Sequence, residues 1–301
     1  MTERQREVAI VVVDAFTNDP FSGNPAAVVL EPGDLSDAAM QAIAREMNLS
    51  ETAFLLPPTS GDADLKVRWF TPASEIDLCG HATVATFHAA VESRRLDPGA
   101  YRMECRSGIL PIEVRREGAG SAIVTMGLPV PDLRVLSLGA EELLAALRLH
   151  RPQLASGLPL MIAGDCWLVP MAGLAALHAV TPDFTALADL VIAERHGNAI
   201  LLTTKTVEPD SAVHVRMFAP AFGINEDPVT GMAQGPVAAY LAANGLLGGG
   251  ADGATIYKAE QGDVLSRPGR ITTTVTRRAG AVAAIRITGR AVTILRGTIR
   301  I

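Results

Sequence analysis

Short apolar runs separated by turn residues dominate the first part of the chain. VAIVVVDAF, from Val8, and TAFLLPP, from Thr52, are typical of buried strands. Between them, LSDAAMQAIAREMNLS begins with Ser and Asp, has apolar residues at helical spacing and ends near Asn48, which predicts a helix. A second helix is predicted over about 80–94. With the hairpin strands that follow, this pattern predicts an α+β lobe, an antiparallel sheet with two helices.

The second part of the chain repeats this order of elements. IAREMNLSETAFLLPP aligns with VIAERHGNAILLTTK, and VRWFTPASEIDLCGHAT aligns with VRMFAPAFGINEDPVTGMA. An internal repeat of this length predicts two pseudo-symmetric lobes. The proline-containing segment MGLPVPDLRVLSLGAEE has no clear period, so we place the boundary there. The predicted lobes span 1–127 and 128–289, with the last strand, about 290–301, returning to the first lobe. Loops facing each other across a cleft would form a ligand site.

Composition excludes several classes of function. A net charge of −6 argues against nucleic acid or an anionic membrane as a partner. Cys79, Cys105 and Cys166 form an odd, widely spaced set, which argues against a disulfide framework and predicts a cytoplasmic protein. The first residues do not have the pattern of a signal peptide. The most apolar longer window contains Asp165 and Pro170, so we do not expect a membrane span.

Two glycines are candidates for binding an anion. Gly80 and Gly231 are each predicted to open a helix, whose free N–H groups and dipole attract negative charge. Either glycine alone could simply form a tight turn. Because the repeat places one in each lobe, we expect the pair to hold a small molecule with a carboxylate. His81 and Met232 follow these glycines and should face the cleft, although Met232 could instead pack in the core of its own lobe.

Two acidic residues are candidates for acid–base chemistry. Glu51 precedes an apolar strand, and the alignment pairs it with Gly197, so this carboxylate belongs to one lobe only. It could take and return a proton if burial raised its pKa toward neutrality. Asp227 in NEDPVTG could equally lie in a solvated turn. His81 could be a packing or capping residue, and Cys79 a small buried hydrophobe. The sequence has no HExxH, paired CxxC, GxGxxG or Walker motif, so we expect neither metal nor nucleotide.

Five ordered motifs resemble those of one known family. The chain is similar, nearly from end to end, to the PhzF-like phenazine-biosynthesis isomerases, which share the fold of diaminopimelate epimerase. The motifs are VDAFTNDPFSGNPAAVVL, NLSETAF, RWFTPASEIDLCGHAT, FAPAFGINEDPVTG and EQGDVLSRPGRI. The resemblance implies two α+β lobes, each a mostly antiparallel sheet wrapped around a central helix, with the active site between them. It also implies proton transfer on a small acid without metal or organic cofactor, in a protein that forms a homodimer.

The resemblance also assigns roles to individual residues. The implied catalytic residues are Glu51, His81 and Asp227, and the implied substrate-binding residues are Asn24, Gly80, His81, Gly231 and Met232. The phenazine enzymes have serine where this chain has Met232. A polar contact to substrate is therefore replaced by a thioether, and the substrate of the phenazine enzymes is not implied.

Two other functions compete with this interpretation. The first is an amino-acid epimerase that uses Cys79 with Asp227 or Glu51. Cys79 lies where the epimerases have their first catalytic cysteine, but the second falls on Asp227, which argues against a two-thiol mechanism. The second is a catalytically silent binding protein with the same fold. Met232 favours this option, whereas intact Glu51, His81 and Asp227 oppose it.

Overall fold

The computed structural model describes residues 7–118, 121–137, 139–194 and 196–301. Internal contacts divide the chain into two compact units. The first unit consists of Met1–Gly127 and Thr288–Ile301, and the second unit of Leu128–Ile287. Strands outnumber helices in both, which gives an α+β fold. No helix among the residues described is both long and apolar enough to cross a membrane.

The first unit contains the elements predicted from its apolar pattern and one short strand, Glu75–Ile76, that was not predicted. In chain order they are β1 (Glu7–Ala15), β2 (Asn24–Val29), α1 (Asp37–Met47), β3 (Glu51–Leu56), β4 (Leu65–Phe70), β5 (Glu75–Ile76), α2 (Gly80–Glu92), β6 (Gly99–Cys105), β7 (Gly108–Glu117) and β8 (Ser121–Leu128). The side chain of Ser36 caps α1 by accepting from the Ala39 N–H, and Asn48 ends the helix in the left-handed conformation. Met40 and Ile43 of α1 pack in the unit's core.

The second unit begins within the segment taken as the boundary. Its elements are β9 (Leu133–Val135), α3 (Ala140–Ala146), β10 (Met161–Ala163), β11 (Cys166–Pro170), α4 (Leu174–His178), α5 (Phe184–Glu194), β12 (Asn198–Thr203), β13 (Ser211–Ala219), β14 (Ile224–Asp227), α6 (Gln234–Ala243), β15 (Gly253–Gln261), β16 (Gly269–Arg278) and β17 (Ala281–Gly289). The last strand, β18 (Ala291–Arg300), pairs antiparallel with β1.

Strand pairing follows the same order in both units. The order is β18–β1–β2–β3–β4–β6–β7 in the first and β9–β10–β11–β12–β13–β15–β16 in the second. In each, the third pair (β2–β3 or β11–β12) and the fifth pair (β4–β6 or β13–β15) are parallel, and the other pairs are antiparallel. This identity of order and direction confirms the two pseudo-symmetric lobes.

Each unit has one largely buried helix that contacts four strands of its sheet. Twelve of the 13 residues of α2 are buried, and the helix contacts β1, β2, β3 and β18. The equivalent helix α6 contacts β9, β10, β11 and β16. A helix that is apolar on all sides belongs in the interior, because no face of it would be stable in water. The prediction of a sheet around a central helix is therefore confirmed in both units.

Two details of the predicted elements are wrong. Gly231 does not open a helix: α6 begins at Gln234, and the Gln234 N–H donates to the Gly231 carbonyl at 3.1 Å in a tight turn. The two polar loops also contain short strands, β5 and β14. Each is fixed to the neighbouring strand by a two-pronged arginine–glutamate pair, Arg68 with Glu75 and Arg216 with Glu226, at 2.8 Å. These charged pairs join residues 7 and 10 positions apart and cannot be seen in an apolar pattern.

Candidate active site

A buried carboxylate–imidazole pair lies at the beginning of the central helix of the first unit. Glu51 is the first residue of β3 and His81 the second residue of α2. The His81 Nε2 lies 3.1 Å from the Glu51 Oε2, and both residues are buried. The Ser50 hydroxyl lies 3.4 Å from the same ring nitrogen. The strand thus delivers a carboxylate to the beginning of the helix, where the dipole also favours negative charge.

The other ring nitrogen of His81 has different neighbours. The Asn24 side-chain amide lies 3.2 Å from His81 Nδ1, and the Cys79 sulfur lies 3.4 Å from it. Asn24 is completely buried at the start of β2. A carboxamide can donate to a neutral ring nitrogen or, turned over, accept from a protonated one. Asn24 therefore fixes the orientation of the ring in either protonation state. Its predicted role in binding substrate stays a prediction.

The pair favours ionised Glu51 and protonated His81. Burial raises the pKa of Glu51, but the charge and hydrogen bonds of His81, Ser50 and Cys79 together hold it below its ordinary value. Burial lowers the pKa of His81, but Cys79 and Glu51 together raise it well above its ordinary value. The expectation that burial brings Glu51 toward neutrality is therefore wrong, because the nearby imidazole outweighs desolvation. The carboxylate is in the form that accepts a proton.

Cys79 is held as a thiol. Burial and the negative charge of Glu51 raise its pKa to about 11, despite the opposing effect of His81. Since the thiolate is the nucleophilic and basic form, this environment opposes the use of Cys79 as a catalytic base.

Glu51, Cys79 and His81 are also the group of metal-ligating side chains that the described part of the chain brings together. Their donor atoms lie within 4.8 Å of one another. A divalent cation bound by this cluster would need Cys79 as a thiolate and His81 as a neutral imidazole. The surroundings of these two residues instead favour the Cys79 thiol and the protonated His81 imidazole.

Asp227 lies in the second unit, at the end of β14, and is buried. The Thr230 hydroxyl donates to the Asp227 carboxylate. The Gln261 side-chain amide donates to the Asp227 carbonyl at 2.9 Å and to the Thr230 hydroxyl at 3.0 Å, while its oxygen accepts from the Thr230 N–H at 3.0 Å. Asp227 is therefore held by a network and does not lie in a solvated turn.

Gln261 is a site residue that sequence reasoning missed. It lies in the motif EQGDVLSRPGRI, to which no role was assigned. The next residue, Gly262, has φ +91°, and a Cβ there would lie 2.2 Å from the Arg267 carbonyl oxygen and 2.7 Å from that of Pro228. Only glycine permits so close an approach. This turn brings Gln261 against the segment that carries Asp227. In the sequence, the glycine that follows Gln261 is the one feature that indicates this turn.

The strand register corrects one pairing of the internal repeat. Ala26 faces Glu51 across β2 and β3, and Cys166 faces Asn198 across β11 and β12, so the counterpart of Glu51 is Asn198 and not Gly197. Glu51 still has no acidic counterpart.

The same register gives Asp227 an apolar counterpart. Trp69 faces Ile76 in the first unit and Met217 faces Asp227 in the second, so Asp227 corresponds to Ile76. Counting on from this pair, Cys79 corresponds to Thr230. Both candidate carboxylates are thus unique to their units.

The remaining predicted residues have distinct surroundings. Gly80 is buried as the first residue of α2, and the Cys79 side chain does not cap the helix. Gly231 is buried in the turn before α6. Met232 is partly exposed and lines a cavity of about 330 Å³ within the second unit. The anion-binding roles of the two glycines stay predictions.

Comparison with known proteins gives consistent relatives. An uncharacterized isomerase of Clostridium acetobutylicum is 34% identical over 97% of this chain and 97% of its own length. The trans-2,3-dihydro-3-hydroxyanthranilate isomerase of Pseudomonas aeruginosa is 33% identical over 93% of this chain and 94% of its own length. Both relatives are named isomerases, and the match covers nearly the whole of each chain. The chain is therefore an enzyme of isomerase type.

Solved structures show the same fold. A PhzF-family phenazine biosynthesis protein of Bacillus anthracis superposes with a TM-score of 0.88, at 30% identity over 98% of this chain and all of that one. A hydroxyproline epimerase of Agrobacterium vitis superposes with a TM-score of 0.63 at 15% identity, over 98% of this chain and 93% of that one, which shows a shared fold alone. The profile described as phenazine biosynthesis-like protein, PhzC–PhzF, matches residues 13–297. The chain belongs to this phenazine biosynthesis-like family.

Proposed function

We propose that the protein is a cofactor-independent isomerase that moves a proton on a small compound bearing a carboxylate, with Glu51 as the acid–base group. The observation that carries this proposal is the buried pair in which the Glu51 carboxylate lies 3.1 Å from the His81 ring. An ionised carboxylate that is shielded from water can take a proton from carbon and return the same proton elsewhere.

Glu51 uses its two oxygens for different purposes in this mechanism. Oε2 lies 3.1 Å from His81 Nε2 and pairs with its positive charge, and Oε1 takes the proton from the substrate. The carboxylic acid so formed then donates this proton to another atom of the substrate, and the carboxylate is regenerated. His81 stabilises the ionised state at both ends of the cycle. Its pKa, raised well above the ordinary value, keeps it protonated near neutral pH.

We propose substrate-binding roles for backbone and side-chain groups in the family's motifs. The beginning of α2 at Gly80 and the turn at Gly231 supply backbone N–H groups for the carboxylate. Asp227, held by Thr230 and Gln261, positions a polar group of the substrate. Met232 contributes a thioether in place of a hydroxyl, so the neighbouring part of the substrate is less polar than in the phenazine enzymes.

The competing epimerase is less well supported by the same cluster. It needs Cys79 as a base, and burial with the Glu51 charge raises the pKa of this thiol to about 11. Cys79 packs against His81 and acts, in our proposal, as a structural neighbour of the ring.

Proton NMR of a panel of small acids tests the proposal. The panel contains trans-2,3-dihydro-3-hydroxyanthranilate, other cyclic unsaturated acids and amino acids, each incubated with the wild-type protein and with Cys79→Ala. We expect at least one acid to appear with a shifted double bond, at similar rates with both proteins. Inversion of an amino acid that disappears in Cys79→Ala would contradict the isomerase and support the epimerase.

A further inference from the structure

The second unit has a cavity at the positions equivalent to the acid–base cluster. The register that equates Cys166 with Ala26 gives three further pairs. Asn24 corresponds to Gly164, Glu51 to Asn198, and His81 to Met232. Gly164, Asn198 and Met232 all line the cavity of about 330 Å³. Of these three counterparts, Gly164 has no side chain where the first unit has Asn24.

The lining of this cavity is mainly apolar. Ile200 and Met217 face each other across β12 and β13, and Ala163 lies at the end of β10. Asp165 is the one charged residue among the described residues of the lining, and it is exposed. A site without a cation does not suit an anion, and apolar walls cannot replace the hydration of polar groups. The cavity therefore suits an uncharged hydrocarbon group.

The volume is sufficient for a ligand. Small-molecule pockets begin at about 300 Å³, and an engineered apolar cavity of about 150 Å³ already takes benzene. The turn that carries Thr230 and Met232 forms one wall. An acid whose carboxylate is held by the N–H groups of this turn would have its hydrocarbon part within reach of the cavity.

We infer that the cavity holds an apolar substituent of the substrate, and that the substrate class is therefore a small acid carrying a branched or cyclic hydrocarbon group. The inference rests on the proposed function, because it takes the carboxylate to be bound beside Gly231. It adds that selectivity between acids comes from the size of the hydrocarbon group that this cavity admits, whereas the proton transfer depends on Glu51.

Calorimetric titration with acids of increasing size tests the inference. The probes are propanoate, butanoate, pentanoate, hexanoate and cyclohexylacetate. We expect the Kd to fall about fourfold for each added methylene until the cavity is full. Ala163→Leu should fill the cavity and flatten this trend. Ala254→Leu, the same change at an exposed position of β15, should keep it.

A second variant guards against loss of folding in Ala163→Leu. Ile200→Ala enlarges the cavity and should move the preference toward cyclohexylacetate. A Kd that does not depend on chain length, or the wild-type trend in both variants, would overturn the inference. Its failure is separable from that of the proposed function. A size trend with no acid isomerised contradicts the isomerase alone, whereas Glu51-dependent turnover without a size trend contradicts the cavity's role alone.

Discussion

His81 is the residue that organises the candidate site, because its two ring nitrogens have different partners. Nε2 faces the Glu51 carboxylate, and Nδ1 faces Asn24 and Cys79. The motifs SETAF and CGHAT could be assigned from sequence because each is short and local. The contact between Asn24 and His81 could not, since it joins residues 57 positions apart whose approach depends on how β2 packs against α2.

We expect the pair of Glu51 and His81 to stabilise the fold within a window of pH. The folded pKa of Glu51 lies below its ordinary 4.5, so its contribution is complete above pH 4.5 and is lost as the pH falls through the folded value. The folded pKa of His81 lies above its ordinary 6.5, so its contribution is complete below pH 6.5 and is lost as the pH rises through the folded value.

Thermal unfolding of wild type and Glu51→Gln across pH measures this window. The difference in Tm should be largest between pH 4.5 and 6.5 and should shrink on both sides. A difference that is constant from acid to alkaline pH would show that Glu51 and His81 do not form an ion pair.

Met232 predicts a change in preference without a change in chemistry. Met232→Ser restores the hydroxyl of the phenazine enzymes at the wall of the cavity. One neutral hydrogen bond is worth about 1 kcal/mol, so kcat/KM for acids that carry a polar group at this place should rise on the order of tenfold relative to apolar ones. The ratio of kcat/KM values over a panel of cyclic acids measures this. An unchanged ratio would remove Met232 from the determinants of specificity.

At the scale of elements, the internal repeat includes a glutamate in each unit that fixes a loop to a strand. We call each of these glutamates with its partners a clamp. Glu104 in the first unit accepts from the Thr59 and Ser60 N–H groups and pairs with Lys66. Glu260 in the second accepts from the Val207 and Glu208 N–H groups and pairs with His214 at 2.9 Å.

Apolar periodicity predicted most of the elements, because strands and central helices are defined by what they bury. It did not predict β9, α3 or β15 to β17. It also missed β5, β14 and the delayed start of α6, which depend on the arginine–glutamate pairs and on Pro228, the residue that interrupts the chain between β14 and the turn at Gly231. Such contacts are fixed by tertiary structure.

The two clamps predict unequal losses of stability. His214 and Glu260 are completely buried, whereas Lys66 and Glu104 remain partly exposed. Burial lowers the pKa of His214, so Glu260→Gln removes a buried carboxylate that is hydrogen-bonded to a neutral imidazole and to two backbone N–H groups, and it should lower the free energy of unfolding by about 1–3 kcal/mol. The matched change Glu104→Gln should cost less, because water screens that pair. Urea denaturation of both variants measures the losses, and an equal or larger loss for Glu104→Gln would contradict this ranking.

At the scale of the whole molecule, the repeat is what the sequence predicted best. Two aligned segments were enough to indicate two lobes, and the strand order repeats throughout. The cavity of the second unit was not predicted, because it results from small residues at positions that are far apart in sequence. The sequence alignment of the two halves is shifted by one residue at Glu51, and only the strand register corrects this shift.

The homodimer and independence from metal stay predictions for the whole molecule. One chain has a mass of 31.6 kDa, so light scattering of the purified protein should give twice this value. Dialysis against a chelator should leave turnover unchanged, since protonated Cys79 and His81 oppose metal binding in the cluster. A mass of one chain would contradict the dimer, and turnover that is lost to the chelator and restored by a divalent cation would contradict the metal-free mechanism.

Turnover by Glu51→Gln, on an acid that the wild-type protein isomerises, tests the central claim most directly. The substitution keeps the shape of the side chain and removes its ability to take a proton. We expect kcat to fall by about 10²–10⁴, the usual contribution of a general acid–base group, while the Kd of the acid changes by less than about threefold. A variant that retains close to the wild-type kcat would contradict the assignment of Glu51 as the proton-transferring residue.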